Sequence, residues 1–211
     1  MRRRLPVRFL RTVLASAVAL AAGTVALAVA TQGFSAFTTE TARRVAVSRH
    51  PVPVPPVVVE DQAGDRFSLA ALRGKWVIVD FIYTRCVDQC EVLDANFARL
   101  QKMLAKPIAA DRLRLLSISL DPTRDTPVEL AAYLQRFGGR SPGWEVARPI
   151  QAGDLERLER TFGITVVPDD DGGYTHNSAI LVVDPRERLI EILGWRDPES
   201  AAREILSKLE G

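Results

Sequence analysis

The feature that most constrains the fold is an apolar run in the middle of the chain that passes into an amphipathic segment. Residues 76–82 read WVIVDFI, which are β-branched, aromatic and almost all apolar, as in a strand buried on both faces. From Cys90 to Lys106 apolar residues recur every three or four positions, the repeat of a helix with one buried face (Val92, Leu93, Phe97, Leu100 and Leu104). A buried strand followed by such a helix predicts an α/β domain.

The patterns on either side of this unit predict an order of elements for the whole body. In chain order they are a hairpin at 57–60 and 65–68, a strand at 112–120, helices at 125–137 and 154–162, strands at 178–184 and 188–193, and a helix at 197–209. This order predicts a mixed central sheet flanked by helices on both faces, with an N-terminal β-hairpin. It is the layout of a thioredoxin-like α/β domain.

The N-terminal segment carries most of the positive charge and a long apolar stretch. The first 50 residues hold eight arginines and one glutamate, whereas the whole chain has a net charge of +2, so the body is mildly acidic. A body without a basic face argues against nucleic-acid binding. Residues 13–30, which would span about 27 Å as a helix, predict a single transmembrane anchor. A cleaved signal peptide is the alternative, since Ala28-Val29-Ala30 offers small residues for cleavage.

These segments predict a domain organisation and a location. We expect a basic cytoplasmic tail at 1–12, an anchor or uncleaved signal at 13–30, a proline-containing linker at 31–56 and the thioredoxin-like domain at 57–211. The linker ends in HPVPVPP, which favours an extended spacer. Arginines ahead of the anchor would stay in the cytoplasm. The prediction is a single-pass protein of a bacterial inner membrane with its body on the periplasmic side.

Two cysteines, Cys86 and Cys90, lie between the strand and the helix in FIYTRCVDQCEVL. Four-residue spacing across such a turn lets both sulfurs face one point, where they could form a disulfide or bind one metal ion. The partial positive charge of the helix N-terminus favours thiolates over thiols. An inert disulfide, a redox-active pair and a metal site all remain open at this point.

His176 precedes the strand at 178–184 and follows the polar loop PDDDGGYT. In a thioredoxin-like sheet this junction lies beside the turn that carries the cysteines. Two thiolates and an imidazole make a donor set that suits copper, with zinc as the rival metal. The other histidine, His50, lies in the proline spacer, and we expect it to be solvated.

Three blocks of the body resemble the Sco/SenC family of thioredoxin-fold copper proteins, over roughly residues 57–209. They are FIYTRCVDQC, SISLDPTRDTPVELAAYLQRFG and HNSAILVVDP. The resemblance implies that Cys86, Cys90 and His176 are copper ligands. It also implies delivery of copper to the binuclear site of a cytochrome c oxidase subunit. Many members have proline after each cysteine, where this chain has Val87 and Glu91.

Two functions therefore compete. The first is a membrane-tethered copper chaperone, which would not be an enzyme. The second is an extracytoplasmic thiol-disulfide oxidoreductase, in which Cys86 attacks a partner disulfide and Cys90 resolves it. His176 discriminates between them, because a copper site needs the imidazole and a thiol exchanger does not. In the second block, Asp125 or Thr126 is expected to cap the following helix and Arg124 to pair with a carboxylate.

Overall fold

The computed structural model describes residues 7–30, 38–85, 89–168 and 173–210. These residues form two compact units, one that ends at Ala46 and one that begins at Val47. The first unit contains α1 (Val7–Ala30), in which the stretch from Arg11 to Ala30 is apolar and long enough to cross a membrane. A signal sequence has the same character, so α1 agrees with both alternatives for this segment.

The segment predicted to be a proline-containing linker, residues 31–56, contains a second helix, α2 (Thr39–Arg49), ahead of HPVPVPP. The hydroxyl of Thr38 accepts the backbone N–H of Thr41 at 3.1 Å and so caps the helix. Glu40 in the first turn forms ion pairs with Arg43 and Arg44, each at 3.0 Å. Pairs at this spacing stabilise a helix, which explains why these residues are helical.

The second unit is built on a mixed sheet. Its described strands lie in the spatial order β1-β10-β9-β4-β5-β6-β2-β3. They are β1 (Val52–Pro53), β2 (Val58–Asp61), β3 (Arg66–Ser68), β4 (Trp76–Ile82), β5 (Leu113–Ser119), β6 (Trp144–Pro149), β9 (Ile180–Val183) and β10 (Arg188–Leu193). The pairs β4–β5 and β5–β6 are parallel, and the other pairs are antiparallel. A separate ribbon pairs β7 (Val166–Pro168) with β8 (Tyr174–His176).

Helices cover both faces of the sheet, as predicted. They are α3 (Gln89–Met103), α4 (Ala105–Ala109), α5 (Pro127–Arg136), α6 (Asp154–Phe162) and α7 (Pro198–Glu210), with a 3-10 helix at Leu69–Leu72. Alternate residues of β4 face opposite sides: Val77 and Val79 pack with α6, whereas Ile78 and Ile82 pack with α3, α5 and α7. The apolar run of β4 is therefore buried on both faces, which is why it reads as continuous rather than alternating.

The sheet begins earlier in the chain than residue 57. Val52 and Pro53 form β1 and pair with Leu189 and Arg188 of β10, and Val47 is buried in the core. The expectation that HPVPVPP is only a spacer is wrong at these residues. Prolines fit here because a strand at the edge of a sheet has one row of N–H groups that need no partner.

Two further elements, β6 and the β7–β8 ribbon, were not predicted. The sequence of β6, WEVARP, contains two charged residues, so its pattern does not predict a strand. One of them, Arg148, is neutralised across the sheet by Glu60 of β2 at 2.6 Å. The strand is therefore stabilised by a partner that is distant in sequence.

Candidate metal centre

The predicted cysteine turn and the predicted histidine segment leave the sheet at the same edge. β4 runs parallel to β5 and antiparallel to β9, with Val79 opposite Leu181. The residues that follow β4 therefore lie beside those that precede β9. Because ligand sites of α/β sheets form beyond the carboxyl ends of parallel strands, this edge is the natural place for a site.

An aromatic contact joins the two segments directly. The rings of Tyr83 and Tyr174 pack edge to face with centroids 5.6 Å apart, and the Tyr174 backbone N–H donates to the Tyr83 hydroxyl at 3.3 Å. Tyr83 lies three residues before Cys86, and Tyr174 lies two residues before His176. The contact therefore joins the segment that precedes Cys86 and Cys90 to the segment that precedes His176.

Of the two cysteines, only the backbone of Cys90 is described. It is the second residue of α3, so it lies in the first helical turn, as predicted. Cys86 and Val87 lie outside the described residues, as do the side chains of Cys90 and Glu91. Within the described part of the chain, no three histidine, cysteine, aspartate or glutamate side chains are grouped as metal ligands would be.

His176 is a half-buried residue whose ring nitrogens are both shielded from water. Among the described residues neither Nδ1 nor Nε2 has a hydrogen-bond partner. Burial lowers the pKa of His176 to about 4, so the imidazole is neutral at neutral pH and keeps a lone pair available. An unpaired buried polar group costs about 1–3 kcal/mol. A metal ion bound to one nitrogen would remove part of this cost, so the donor chemistry fits a metal.

The residue after the histidine holds this segment in place. The Asn177 side chain accepts the Thr165 backbone N–H at 2.7 Å and donates to the Gly163 carbonyl at 2.9 Å. Gly163 ends α6 with a φ of 63°, a left-handed conformation that suits glycine. The His176 backbone is therefore tied both to β7 through Val166 and to the end of α6.

We expect Asn177→Ala to lower the free energy of unfolding by about 1–2 kcal/mol, because two backbone groups lose their side-chain partner. Urea unfolding followed by tryptophan fluorescence measures the change. Thr175→Ala, an exposed position on the same ribbon, is the matched control and should stay within about 0.5 kcal/mol. Equal effects of the two substitutions would show that Asn177 does not anchor the segment.

The connection after β5 supports the cysteine turn through Asp125, which is fully buried. Its carboxylate accepts the Thr84 hydroxyl at 2.6 Å, the Thr84 backbone N–H at 3.3 Å and the Ser119 hydroxyl at 2.6 Å. Thr84 lies two residues before Cys86. Asp125 therefore fixes the chain at the point where it enters the cysteine turn.

Asp121 holds Arg85, the residue after Thr84, in a similar way. Its Oδ2 atom lies 3.3 Å from both Arg85 and Arg124, and its Oδ1 atom accepts the Thr123 hydroxyl at 2.9 Å. The predicted pairing of Arg124 with a carboxylate is confirmed. Thr126, rather than Asp125, is the N-cap of α5, and its backbone N–H donates to Glu129 at 3.1 Å.

The sequence analysis explained this segment by helix capping and by the pairing of Arg124, and it missed the contacts of Asp125 with Thr84 and of Asp121 with Arg85. Parallel pairing of β4 with β5 was the signal that could have found them, because it brings the two connections to one edge. His50, the other histidine, is exposed, as expected. The acidic run at 169–171 lies outside the described residues.

Comparisons with known proteins place the same part of the chain in one family. A family model described as SCO1/SenC matches residues 54–210. A Stutzerimonas stutzeri protein whose name describes it as copper-binding is 30% identical over 136 residues. The match covers 63% of this chain and 64% of that protein, so it spans less than two thirds of the relative.

Two solved structures share the fold. ScoI of Bradyrhizobium japonicum, solved with copper bound, is 26% identical with a TM-score of 0.61 and covers 74% of this chain and 98% of that chain. BsSco, described as a member of the Sco family of cytochrome c oxidase assembly proteins with a disulfide switch, is 23% identical with a TM-score of 0.64. That match covers 75% of this chain and 94% of that chain.

Proposed function

Because the chain belongs to the SCO1/SenC family, we propose that it is a membrane-tethered copper chaperone that binds copper through Cys86, Cys90 and His176. The observation that carries the proposal is the neutral imidazole of His176, whose two nitrogens are shielded from water and have no hydrogen-bond partner among the described residues. It belongs to the segment that contacts Tyr83, just before the cysteine turn. A relative named as copper-binding and the copper-bound ScoI structure support copper as the metal.

The chemistry of the three side chains suits a metal that must be held and then released. Thiolates and imidazole together favour copper over hard cations such as magnesium. Copper uptake requires both cysteines to be reduced, because a disulfide sulfur is not a thiolate ligand. Three protein ligands leave a position at which a ligand of the acceptor can bind first, and release then proceeds by exchange of one ligand at a time.

The N-terminal segment supports a proposal for where the copper chaperone is located. We propose that α1 anchors the protein in a bacterial inner membrane with the arginine-rich tail in the cytoplasm and the body in the periplasm. The proposed recipient is the binuclear copper site of a cytochrome c oxidase subunit. The description of BsSco as an oxidase assembly protein supports this recipient.

A thiol-disulfide oxidoreductase is the second candidate, and one observation favours it: BsSco is described as containing a disulfide switch. In this scheme Cys86 attacks a partner disulfide to form a mixed disulfide and releases one partner thiol. Cys90 then attacks Cys86, which releases the second partner thiol and leaves Cys86 and Cys90 oxidised. Two electrons pass to the partner, and no metal is needed.

The two functions are separated by copper loading of the full chain in detergent under anaerobic conditions. We expect the reduced chain to retain one Cu(I) per molecule after removal of free metal, and the disulfide-oxidised chain to retain none. The Cys86→Ser, Cys90→Ser double variant is the control for adventitious binding. No copper retention by the reduced chain, together with rapid exchange with a model disulfide, would move the assignment to the oxidoreductase.

A further inference from the structure

Arg148 of β6 has a guanidinium group in which each of the three nitrogens has a partner. Its Nε and Nη2 atoms donate to the Glu60 carboxylate of β2 at 3.1 and 2.6 Å, and its Nη1 atom donates to the Pro122 carbonyl at 2.9 Å. The Arg148 side chain is 22% exposed, and the Glu60 side chain is 9% exposed. Charges buried to this extent are paired, and the two-fold contact with the carboxylate fixes the direction in which the guanidinium points.

The pairing of the strands places Arg148 at the point where β5 leaves the sheet. The parallel pairing of β5 with β6 ends with Ile118 opposite Ala147, and Arg148 is the next residue of β6. On the other side of β6, Arg148 lies in register with Glu60 of β2. The guanidinium therefore links the antiparallel part of the sheet to the connection between β5 and α5.

Pro122 belongs to a turn in this connection that two backbone hydrogen bonds close. The Asp121 carbonyl accepts the backbone N–H groups of Arg124 at 3.0 Å and Asp125 at 2.9 Å. Proline has no N–H, so its carbonyl is the backbone group through which a partner can hold it. Because the turn is closed, a shift of Pro122 also shifts the carboxylates of Asp121 and Asp125. Arg148 therefore holds both carboxylates indirectly.

The two carboxylates of this turn contact the entry to the cysteine turn. Asp125 accepts the hydroxyl and the backbone N–H of Thr84, and Asp121 pairs with Arg85 at 3.3 Å. Cys86 follows Arg85 directly in the chain. Contacts between neighbouring groups thus run without a gap from the ion pair of β6 to the residue before Cys86.

We propose that Arg148 is a positioning residue for the copper site: oriented by Glu60, it holds the turn at Pro122 and so fixes the path by which the chain enters the cysteine turn. The inference rests on the proposed function, which assigns Cys86 to the site. Arg148 acts through the turn and is not itself a ligand. Arginine suits this role because its rigid fork serves two partners at once, whereas lysine offers a single ammonium group.

A second arginine on Glu60 provides the matched control. Arg66 of β3, on the other side of β2, donates to the second Glu60 oxygen at 3.1 Å. In both Arg66→Met and Arg148→Met, Glu60 keeps one arginine partner, and methionine keeps much of the apolar part of the side chain. Of the two arginines, Arg148 is the one that contacts the turn among the described residues. The comparison therefore separates the hold on the turn from the pairing of Glu60.

The first measurement uses the full, reduced, metal-free chain in detergent. Amide hydrogen exchange, followed by NMR, reports on the Thr84 backbone N–H, which donates to Asp125 at 3.3 Å. We expect this N–H to exchange about tenfold faster in Arg148→Met than in the wild type, because the turn that accepts it is released. In Arg66→Met the exchange rate should equal that of the wild type.

The second measurement is the Cu(I) affinity of the same three proteins, by competition with a chromophoric chelator. We expect Arg148→Met to bind Cu(I) about tenfold more weakly, as for groups that support a metal ligand, and Arg66→Met to stay within about twofold of the wild type. Without denaturant all three proteins are folded, so lower stability alone does not change the affinity. If Arg148→Met fails to fold, Arg148→Lys, which keeps a positive charge beside Glu60, should show both changes to a smaller extent.

Two results with the variants would overturn the proposal. One is an equal effect of Arg66→Met and Arg148→Met in both measurements, which would reduce the role of Arg148 to the pairing of Glu60. The other is faster exchange at Thr84 with unchanged Cu(I) affinity in Arg148→Met, which would show that the copper site does not depend on the turn. By contrast, a wild-type chain that retains no Cu(I) would disprove the proposed function itself, and with it this role of Arg148, before any variant is measured.

Discussion

His176→Ala is expected to lower the Cu(I) affinity of the reduced chain by at least about a hundredfold, since loss of a group that only supports a ligand already costs 10- to 100-fold. The physical reason is that the two remaining thiolates supply neither a third ligand nor the geometry of a three-ligand site. Competition with a chromophoric Cu(I) chelator measures the affinity. His50→Ala is the matched control, because His50 is exposed. The Cu(I) affinity of this variant should equal that of the wild type.

The same substitution should have little effect on the fold without metal. The imidazole has no hydrogen-bond partner among the described residues, so its removal breaks no contact of that kind. Copper should therefore raise the melting temperature of the wild type more than that of His176→Ala, because a tighter ligand stabilises the folded state more. Unchanged Cu(I) affinity in His176→Ala would disprove the three-ligand site and leave the cysteines to act as a pair.

Asp125→Ala is expected to lower the free energy of unfolding by about 3–5 kcal/mol, because three hydrogen bonds to a buried carboxylate are lost. Two of these bonds hold Thr84, two residues before Cys86. We therefore also expect weaker Cu(I) binding, since the cysteine turn loses the support that fixes its entry. Urea unfolding by tryptophan fluorescence and chelator competition measure the two effects.

Thr123→Ala is the control for Asp125→Ala within the same segment. The Thr123 hydroxyl makes one hydrogen bond, to Asp121 at 2.9 Å, so its loss should cost about 1 kcal/mol. If both substitutions lowered the free energy of unfolding by the same amount, Asp125 would not be the residue that holds the entry to the cysteine turn. Normal Cu(I) affinity in a strongly destabilised Asp125→Ala would limit its role to stability.

The elements that sequence predicted best are those whose pattern is local. The apolar run of β4 and the bounds of α6 and β10 match the structure, because burial on one or two faces leaves a direct trace in the residue pattern. β1 and β6 were missed because proline in β1 and charge in β6 argue against strands locally. Both are stabilised by neighbours distant in sequence: β10 pairs with β1, and Glu60 neutralises Arg148 of β6.

By itself, the sequence determined the α/β class, the apolar N-terminal helix, the place of Cys90 in the first turn of its helix, and the three blocks that resemble a copper-binding family. Only the tertiary structure decided that Tyr174 packs on Tyr83, that Asp125 holds Thr84, and that the His176 imidazole is buried without a described partner. The reason is physical. Periodicity records which face of an element is buried, whereas contacts between connections depend on how strands pair at one edge of the sheet.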